Sequence, residues 1–517
     1  MLGKDNTSRT SRVISGIATG WIQFFFNLLL QIALIPTIVT VAQPETLGAY
    51  AILIQFLGYV ALVDLGLAAT TMRFLAQAHG YDDNGVRFSE VLSIARTSLL
   101  VTNIAFAIIV TLSSFWIQHF VTLSENLLAD ARYSILMVAL WAIIRSPWVV
   151  YAGGMIAIQK MALVNVIYMI GTVARLLLSI GFILADMGLI GIMIANILSE
   201  VICAALFAGF FRRHYRGLQL RWKIQNRGLL KEILAFSFNV FIINIASLLI
   251  YSSGNLIVGF LHGAVAAGIY YATQVPATAG YSLFLMISRN ASPAINELFA
   301  RGEVLSLKRS FLQIHKLTML LALPFSVCIV LLNRTFVSLW VGTGQYAGDL
   351  MTFALAGLII ILCISGVSNV FVQAKGNIKI LSLITILEGI INLILALWLG
   401  RKIGLGGVVL GIFLAHLPNT LYLQWRAQTD LGIGWLSFLL KSATAPILLT
   451  LTTGSVMYAL IAIIQPNNWP EFVVTAACFI LVYSILCYQY GFNEIERRDV
   501  LDYFRRKFQP NRCVSFL

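Results

Sequence analysis

Long apolar runs follow one another along almost the whole of this chain, and they limit what it can fold into more than anything else. They lie at about 13–42, 47–71, 88–113, 133–157, 161–185, 188–210, 232–259, 264–288, 314–332, 350–372, 378–399, 404–424, 436–464 and 471–490. A helix needs about 20 apolar residues to cross a hydrocarbon core about 30 Å thick, and nearly every run reaches that length. A soluble fold is excluded on the same ground. Only 11% of the 517 residues are charged and 59% are hydrophobic, whereas an average globular chain is about 25% charged. A transmembrane barrel is excluded too, because its strands alternate polar and apolar over short segments. The run beginning at Val13 is too long for a cleaved signal and reads as a retained first span. The expected fold class is an all-α polytopic membrane protein of about 14 transmembrane helices.

Charge sets the orientation. With both termini cytoplasmic, the inside segments hold 28 of the 35 Lys and Arg residues, seven of them between Arg212 and Lys231. The outside loops hold only Arg132, Arg334, Arg401 and Lys402. That is the positive-inside pattern, and it predicts a multi-pass protein of the cell inner membrane with both ends in the cytoplasm. The net charge of +14 then expresses orientation and attraction to anionic membrane lipids, about 1 kcal/mol per residue near the surface. It implies no nucleic-acid partner. No G-x-x-x-x-G-K-[ST] pattern occurs, so no nucleotide partner is expected either. Five cysteines lie in apolar stretches and Cys513 in the charged tail, with no close-spaced Cys/His cluster. Neither a disulfide framework nor a metal site nor any other cofactor is expected.

The chain also repeats itself. At a shift of about 220, Gly48-Ala49-Tyr50-Ala51 meets Gly268-Ile269-Tyr270-Tyr271. At a shift of about 216, the segment from Gly188 to Ala195 meets the segment from Gly404 to Gly411. Six spans is an even number, so both copies enter the membrane in the same sense, which makes a parallel repeat about an axis along the membrane normal. The expected organisation is a six-helix lobe over 1–210, a basic linker over 211–231, a second six-helix lobe over 232–430, two extra helices over 431–490 and a tail over 491–517. Two bundles related by such a pseudo-twofold place a substrate path between them near the midplane.

Span 1 carries Ser15, Thr19, Gln23, Asn27 and Gln31, each four residues after the last, a polar stripe along one helix face. The shift of about 220 carries the stripe into span 7, where Asn239, Ser247, Tyr251 and Asn255 are polar, and span 8 adds Tyr270, Gln274 and Thr278. One stripe alone reads as hydrogen-bonded glue between helices. Two stripes at equivalent positions read as the walls of a hydrophilic cleft.

Charges inside spans are few and costly, about 2.5–3.5 kcal/mol each on insertion scales. Asp64 and Arg96 lie about two turns from the cytoplasmic ends of spans 2 and 3 and suit a structural ion pair. Arg145, Arg175, Glu200 and Glu388 fall near the midplane. Two accounts stay open for the arginines: pairing with Glu200, or facing the cleft to receive an anion, which the planar guanidinium fork suits. Glu388 and Glu200 are the candidates for ion coupling. Pro147, two residues after Arg145, frees a backbone carbonyl and predicts a kink.

The stretches Gly48-Ala49-Tyr50-Ala51, Leu62-Val63-Asp64-Leu65-Gly66-Leu67 and Arg73-Phe74-Leu75-Ala76 resemble the N-terminal signature of the polysaccharide-biosynthesis membrane proteins, the O-antigen and exopolysaccharide flippases of the multidrug/oligosaccharidyl-lipid/polysaccharide exporter superfamily. The resemblance implies alternating access of two six-helix lobes. It implies transport of an undecaprenyl-pyrophosphate-linked oligosaccharide from the inner to the outer leaflet, through a cavity with positive charge for the pyrophosphate. It also implies polysaccharide polymerase and assembly proteins as partners. Family cavity arginines do not transfer by position, so Arg145 and Arg175 stand as pyrophosphate candidates on the residues alone. The competing reading is a proton- or sodium-coupled multidrug exporter of the same fold. Spans 1, 7 and 8 hold no Asp or Glu before their cytoplasmic ends, which speaks against it. An enzyme is not expected, because the longest outside loops, about 114–132 and 333–349, are too small for a catalytic domain.

Overall fold

The computed structural model describes residues 9–63, 67–79, 86–115, 124–214, 226–251, 253–376 and 378–492. All regular structure among these residues is helical. In chain order the helices are α1 (Arg9–Val41), α2 (Pro44–Val63), α3 (Leu67–His79), α4 (Val86–Ser114), α5 (Glu125–Ala157), α6 (Met161–Leu184), α7 (Gly188–His214) and α8 (Arg227–Tyr251). They continue with α9 (Gly254–Arg301), α10 (Val304–Val341), α11 (Asp349–Ala374), α12 (Ile378–Ile403) and α13 (Leu405–Leu431). The last two are α14 (Trp435–Ile464), with a π-helical turn at Leu439–Ala443, and α15 (Trp469–Gly491).

Among the described residues, 12 helical stretches are long and apolar enough to cross a membrane. Each falls on one of the apolar runs. The second and seventh runs are helical as well, as α2 and α8, with part of their side chains outside the described residues. The chain is a multi-pass membrane protein. Its large outward-facing apolar side chains, such as Ile463 at 79% exposed and Leu184 at 67%, belong on such a surface, since lipid solvates them as well as a protein core does.

Span 7 differs from expectation in being broken. Helix α8 stops at Tyr251 and the chain resumes helix at Gly254. The resumed segment then meets Gly263, whose backbone is non-helical (φ 82°, ψ 176°) and separates the end of span 7 from span 8 within α9. The internal repeat is visible in the backbone. Gly188 opens α7 with φ 48°, and Gly404, directly before α13, has φ 78°, a left-handed conformation that favours glycine at both repeat-related positions.

By contact density the chain forms two compact units. The first comprises Met1–Ala272, Gly344–Ala347 and Ser382–Ile412. The second comprises Thr273–Thr343, Gly348–Leu381 and Phe413–Leu517. In the first, Leu75, Phe88, Leu92, Leu99, Val150, Phe211 and Ile233 make a core joining α3, α4, α5, α7 and α8. In the second, Phe311, Phe371, Leu423 and Phe438 form a core rich in aromatic contacts. Helices α14 and α15 pack on α10 through Leu320, Leu449 and Tyr483, and again through Leu332, Met457 and Phe479.

Proline inside a span leaves a carbonyl without its usual partner, and in lipid another group must supply one. Pro324 strips the amide from Leu320 O, and Tyr483 of α15 donates its hydroxyl there at 2.6 Å. Pro147 does the same to Ile143 O, which accepts from Ser146 Oγ at 3.0 Å. In the turn disturbed by Pro276, Thr273 O accepts from Asn333 Nδ2 at 3.1 Å.

Candidate functional site

In the first unit, Arg145 and Arg175 both lie within electrostatic reach of Glu200. Arg145 on α5 holds its guanidinium 5.1 Å from the ring of Trp141, one turn earlier on the same helix. A cation over an indole face gains about 0.5–1 kcal/mol where exposed and more where water is excluded. Trp141 donates a hydrogen bond to Glu200 on α7, and Glu200 lies in the fields of Arg145 first and Arg175 second. Arg175 on α6 in turn lies within electrostatic reach of Tyr50 on α2 and Tyr271 on α9. Two guanidiniums against one carboxylate leave at least one positive charge in excess. Among the described residues, Arg175 Nε is buried without a hydrogen-bond partner. Both sequence accounts therefore share one cluster, in which Glu200 is near both arginines and does not neutralise them.

The polar stripe of α1 faces α6. Asn165 Nδ2 donates to Gly16 O and to Thr19 Oγ1, each at 3.0 Å, and Thr172 Oγ1 donates to Asn27 Oδ1 at 3.2 Å. Asn27 Nδ2 also donates to Gln23 O at 3.1 Å. Thr19, Gln23, Asn27 and Gln31 are all half-buried. Thr19 and Asn27 thus serve as contacts between helices, the role a single stripe suggests. The matching face of α6 is a second stripe, Asn165, Tyr168, Thr172, Arg175 and Ser179, which sequence reasoning passed over. Its spacing alternates three and four residues, the true helical period, and it sets Arg175 one turn beyond a residue bonded to α1.

The remaining candidates are scattered. Asn255 and Tyr270 are buried in the first unit, 2% exposed each. Tyr270 places its hydroxyl over Gly254, where a side chain would leave no room. Gln274 is half-buried and belongs to the second unit. Glu388 on α12 is buried and engaged with neighbours. Arg96 on α4 is buried and likewise engaged. Asp64 and the tail beyond Phe492 lie outside the described residues, as do the side chains of Asn239, Ser247 and Tyr251, although the backbone of the last three is helical.

The repeated Gly-x-Tyr motif has a structural role as well. Gly48 on α2 packs so closely on α9 that a Cβ there would lie 1.6 Å from Ala264 O. A Cβ on Gly268 would in turn meet Gly48 N at 3.0 Å. The two copies of the motif cross backbone to backbone, and Tyr50 meets Tyr271 edge-on with ring centroids 6.3 Å apart. The crossing holds Tyr50 and Tyr271 together beside Arg175.

A family model described as polysaccharide biosynthesis protein matches residues 41–348. The membrane protein EpsK of Bacillus subtilis (strain 168), itself described as uncharacterized, is 22% identical over 491 residues, which is 93% of this chain and 96% of that one. Among solved structures, the lipid II flippase MurJ in an inward closed conformation superimposes with a TM-score of 0.69 at 17% identity, over 94% of this chain and 100% of that one. An inward-facing multidrug resistance transporter of the MATE family and MOP superfamily gives 0.65 at 17% identity, over 81% and 98%. The chain has the two-bundle helical fold of these flippases and exporters. Matched over more than half its length, it belongs to the polysaccharide biosynthesis protein family.

Proposed function

We propose that this protein is a flippase that moves an undecaprenyl-pyrophosphate-linked oligosaccharide, a polysaccharide repeat unit, from the inner to the outer leaflet of the cytoplasmic membrane by alternating access, with both termini in the cytoplasm. It forms and breaks no covalent bond of its substrate. The observation that carries this reading is the Arg145–Arg175–Glu200 cluster, an excess of positive charge deep in a chain of the polysaccharide biosynthesis family. Guanidinium is the side chain best matched to a phosphate oxygen pair, and Arg175 Nε has no hydrogen-bond partner among the described residues. Glu200 lowers the insertion cost of two arginines without cancelling both. Tyr50, Tyr168 and Tyr271 around them offer hydroxyls to anion or sugar.

The driving force follows from the cargo. Moving one charge through 100 mV is worth about 2.3 kcal/mol. A doubly charged pyrophosphate leaving a negative interior therefore gains roughly twice that. Deleting the gene tests the cargo. The expected outcome is build-up of a lipid-linked oligosaccharide on the cytoplasmic face. Loss of resistance to organic cations with no such build-up would assign the chain to multidrug export instead.

A further inference from the structure

In the second unit, α10, α11 and α13 bring together buried polar side chains that the substrate reading does not use. His315, Ser368 and Gln424 are each at most 3% exposed. His315 Nδ1 lies 2.9 Å from Phe311 O, His315 Nε2 lies 3.2 Å from Ser368 Oγ, and Ser368 Oγ lies 2.5 Å from Gln424 Oε1. The rings of Phe311 and Phe438 flank the imidazole, with centroids 4.2 Å and 5.3 Å away. The adjoining cavity, lined by His315, Thr318 and Cys363 among others, measures about 10 Å³. That is room for about one water molecule and no larger ligand.

Hydrogen-bond chemistry fixes one end of this chain and leaves the other to a single proton. Phe311 O only accepts, so Nδ1 carries a hydrogen. If Nε2 is bare, the Ser368 hydroxyl must donate to it, and Ser368 Oγ must then accept from the amide nitrogen of Gln424. If Nε2 is protonated, it donates to Ser368 Oγ, which donates to Gln424 Oε1. Gln424 Oε1 is the amide atom that faces Ser368 Oγ. Among the described residues, Gln424 Nε2 then has no partner, and Gln428, one turn along α13, has none for either amide atom.

Charged and titratable neighbours are few. On α10, Lys316 is within electrostatic reach of Cys487. On α11, Cys363 lines the same cavity. On α13, His416 bonds Ser365 at 3.0 Å, and Asp430 is held by Lys375 and Arg426. On α9, Arg289 is exposed and Glu297 pairs with Arg301. In the π turn of α14, Lys441 is exposed. Each carboxylate named here is paired with a cation other than His315.

We propose that the His315–Ser368–Gln424 chain is a proton-binding site, in which a proton arriving at Nε2 reverses the hydrogen bonds that tie α10, α11 and α13 together and so couples proton binding to transport. The coupling half rests on the flippase reading. The binding half does not, and the two are measured separately. Nitrogen NMR of histidine-labelled protein in bilayers, at about pH 5 and about pH 8, reads both ring nitrogens. The His315 signal among the six histidines is identified by its loss in His315→Gln and by its shift in Ser368→Ala. The expected result is an Nδ1 that carries hydrogen throughout and an Nε2 that gains one at the acidic end. An Nε2 that stays bare, or an Nδ1 that loses its hydrogen, overturns the site. In proteoliposomes, the ratio of transport rates at the two pH values should fall to about one in His315→Gln and in Ser368→Ala. A ratio unchanged from the parent protein in both variants overturns the coupling while leaving the flippase reading in place.

Discussion

Arg175 concentrates the argument at the scale of single residues. Its guanidinium lies near Glu200, Tyr50 and Tyr271, and its Nε lacks a hydrogen-bond partner among the described residues. If it receives an anion, Arg175→Ala should abolish glycan export while membrane levels of the protein hold, and Arg175→Lys should restore only part of it, because an ammonium cannot bond two phosphate oxygens in one plane. Quantitative immunoblotting beside polysaccharide output checks this. Export at the parent level in Arg175→Ala would reduce the arginine to a structural partner of Glu200. The sequence offers Glu200 as a partner for either arginine, because an unpaired charge inside a span is costly. Which neighbours complete the cluster was not legible there. Trp141, Tyr50 and Tyr271 come from other turns and other helices, and nothing in their spacing marks them as neighbours of an arginine.

Among elements, the crossing of α2 and α9 is held by the absence of a side chain. A Cβ on Gly48 would lie 1.6 Å from Ala264 O, so Gly48→Ala must push two backbones apart. Overpacking of this kind costs about 1–3 kcal/mol. The expected outcome is a lower thermal unfolding temperature in detergent, with Gly48→Leu lower still. Helix α15 is tied to α10 by Tyr483 donating to the carbonyl that Pro324 leaves bare. Bonds between membrane helices average about 0.6 kcal/mol, and a carbonyl left buried and unmet costs about 1–3 kcal/mol. Tyr483→Phe should therefore lose about 1 kcal/mol, read from unfolding in mixed micelles. A Tyr483→Phe protein as stable as the parent would show that water or lipid headgroups can meet Leu320 O.

The helices themselves were well marked in the chain. Length, apolar content and the Gly-x-Tyr repeat all survive in the structure, down to the matching left-handed glycines at 188 and 404. The break in span 7 was hidden, since Ser253 and Gly254 sit within an apolar run. The stripe on α6 was hidden for another reason. Tyr168 and Arg175 are not usually counted with Asn and Thr as one polar face, although a period near 3.6 puts all five residues on it.

For the whole molecule, the proposed cargo is a pyrophosphate-bearing lipid, with the membrane potential part of its driving force. An amphiphile with a sugar head has no other easy route, because its polar groups cannot cross about 30 Å of hydrocarbon unaided. The most direct measurement uses purified protein in proteoliposomes loaded with lipid-linked oligosaccharide, with pH equal on both sides and an imposed potassium diffusion potential. The fraction of glycan that an impermeant reagent can reach is followed over time. At about 100 mV, two charges favour the positive side by about 4.6 kcal/mol, about three orders of magnitude in the equilibrium leaflet ratio. The account expects glycan to collect in the leaflet on the positive side, and Arg145→Ala and Arg175→Ala to prevent it. Exchange between leaflets no faster than in protein-free vesicles, or exchange that both arginine variants sustain at the parent rate, would contradict it.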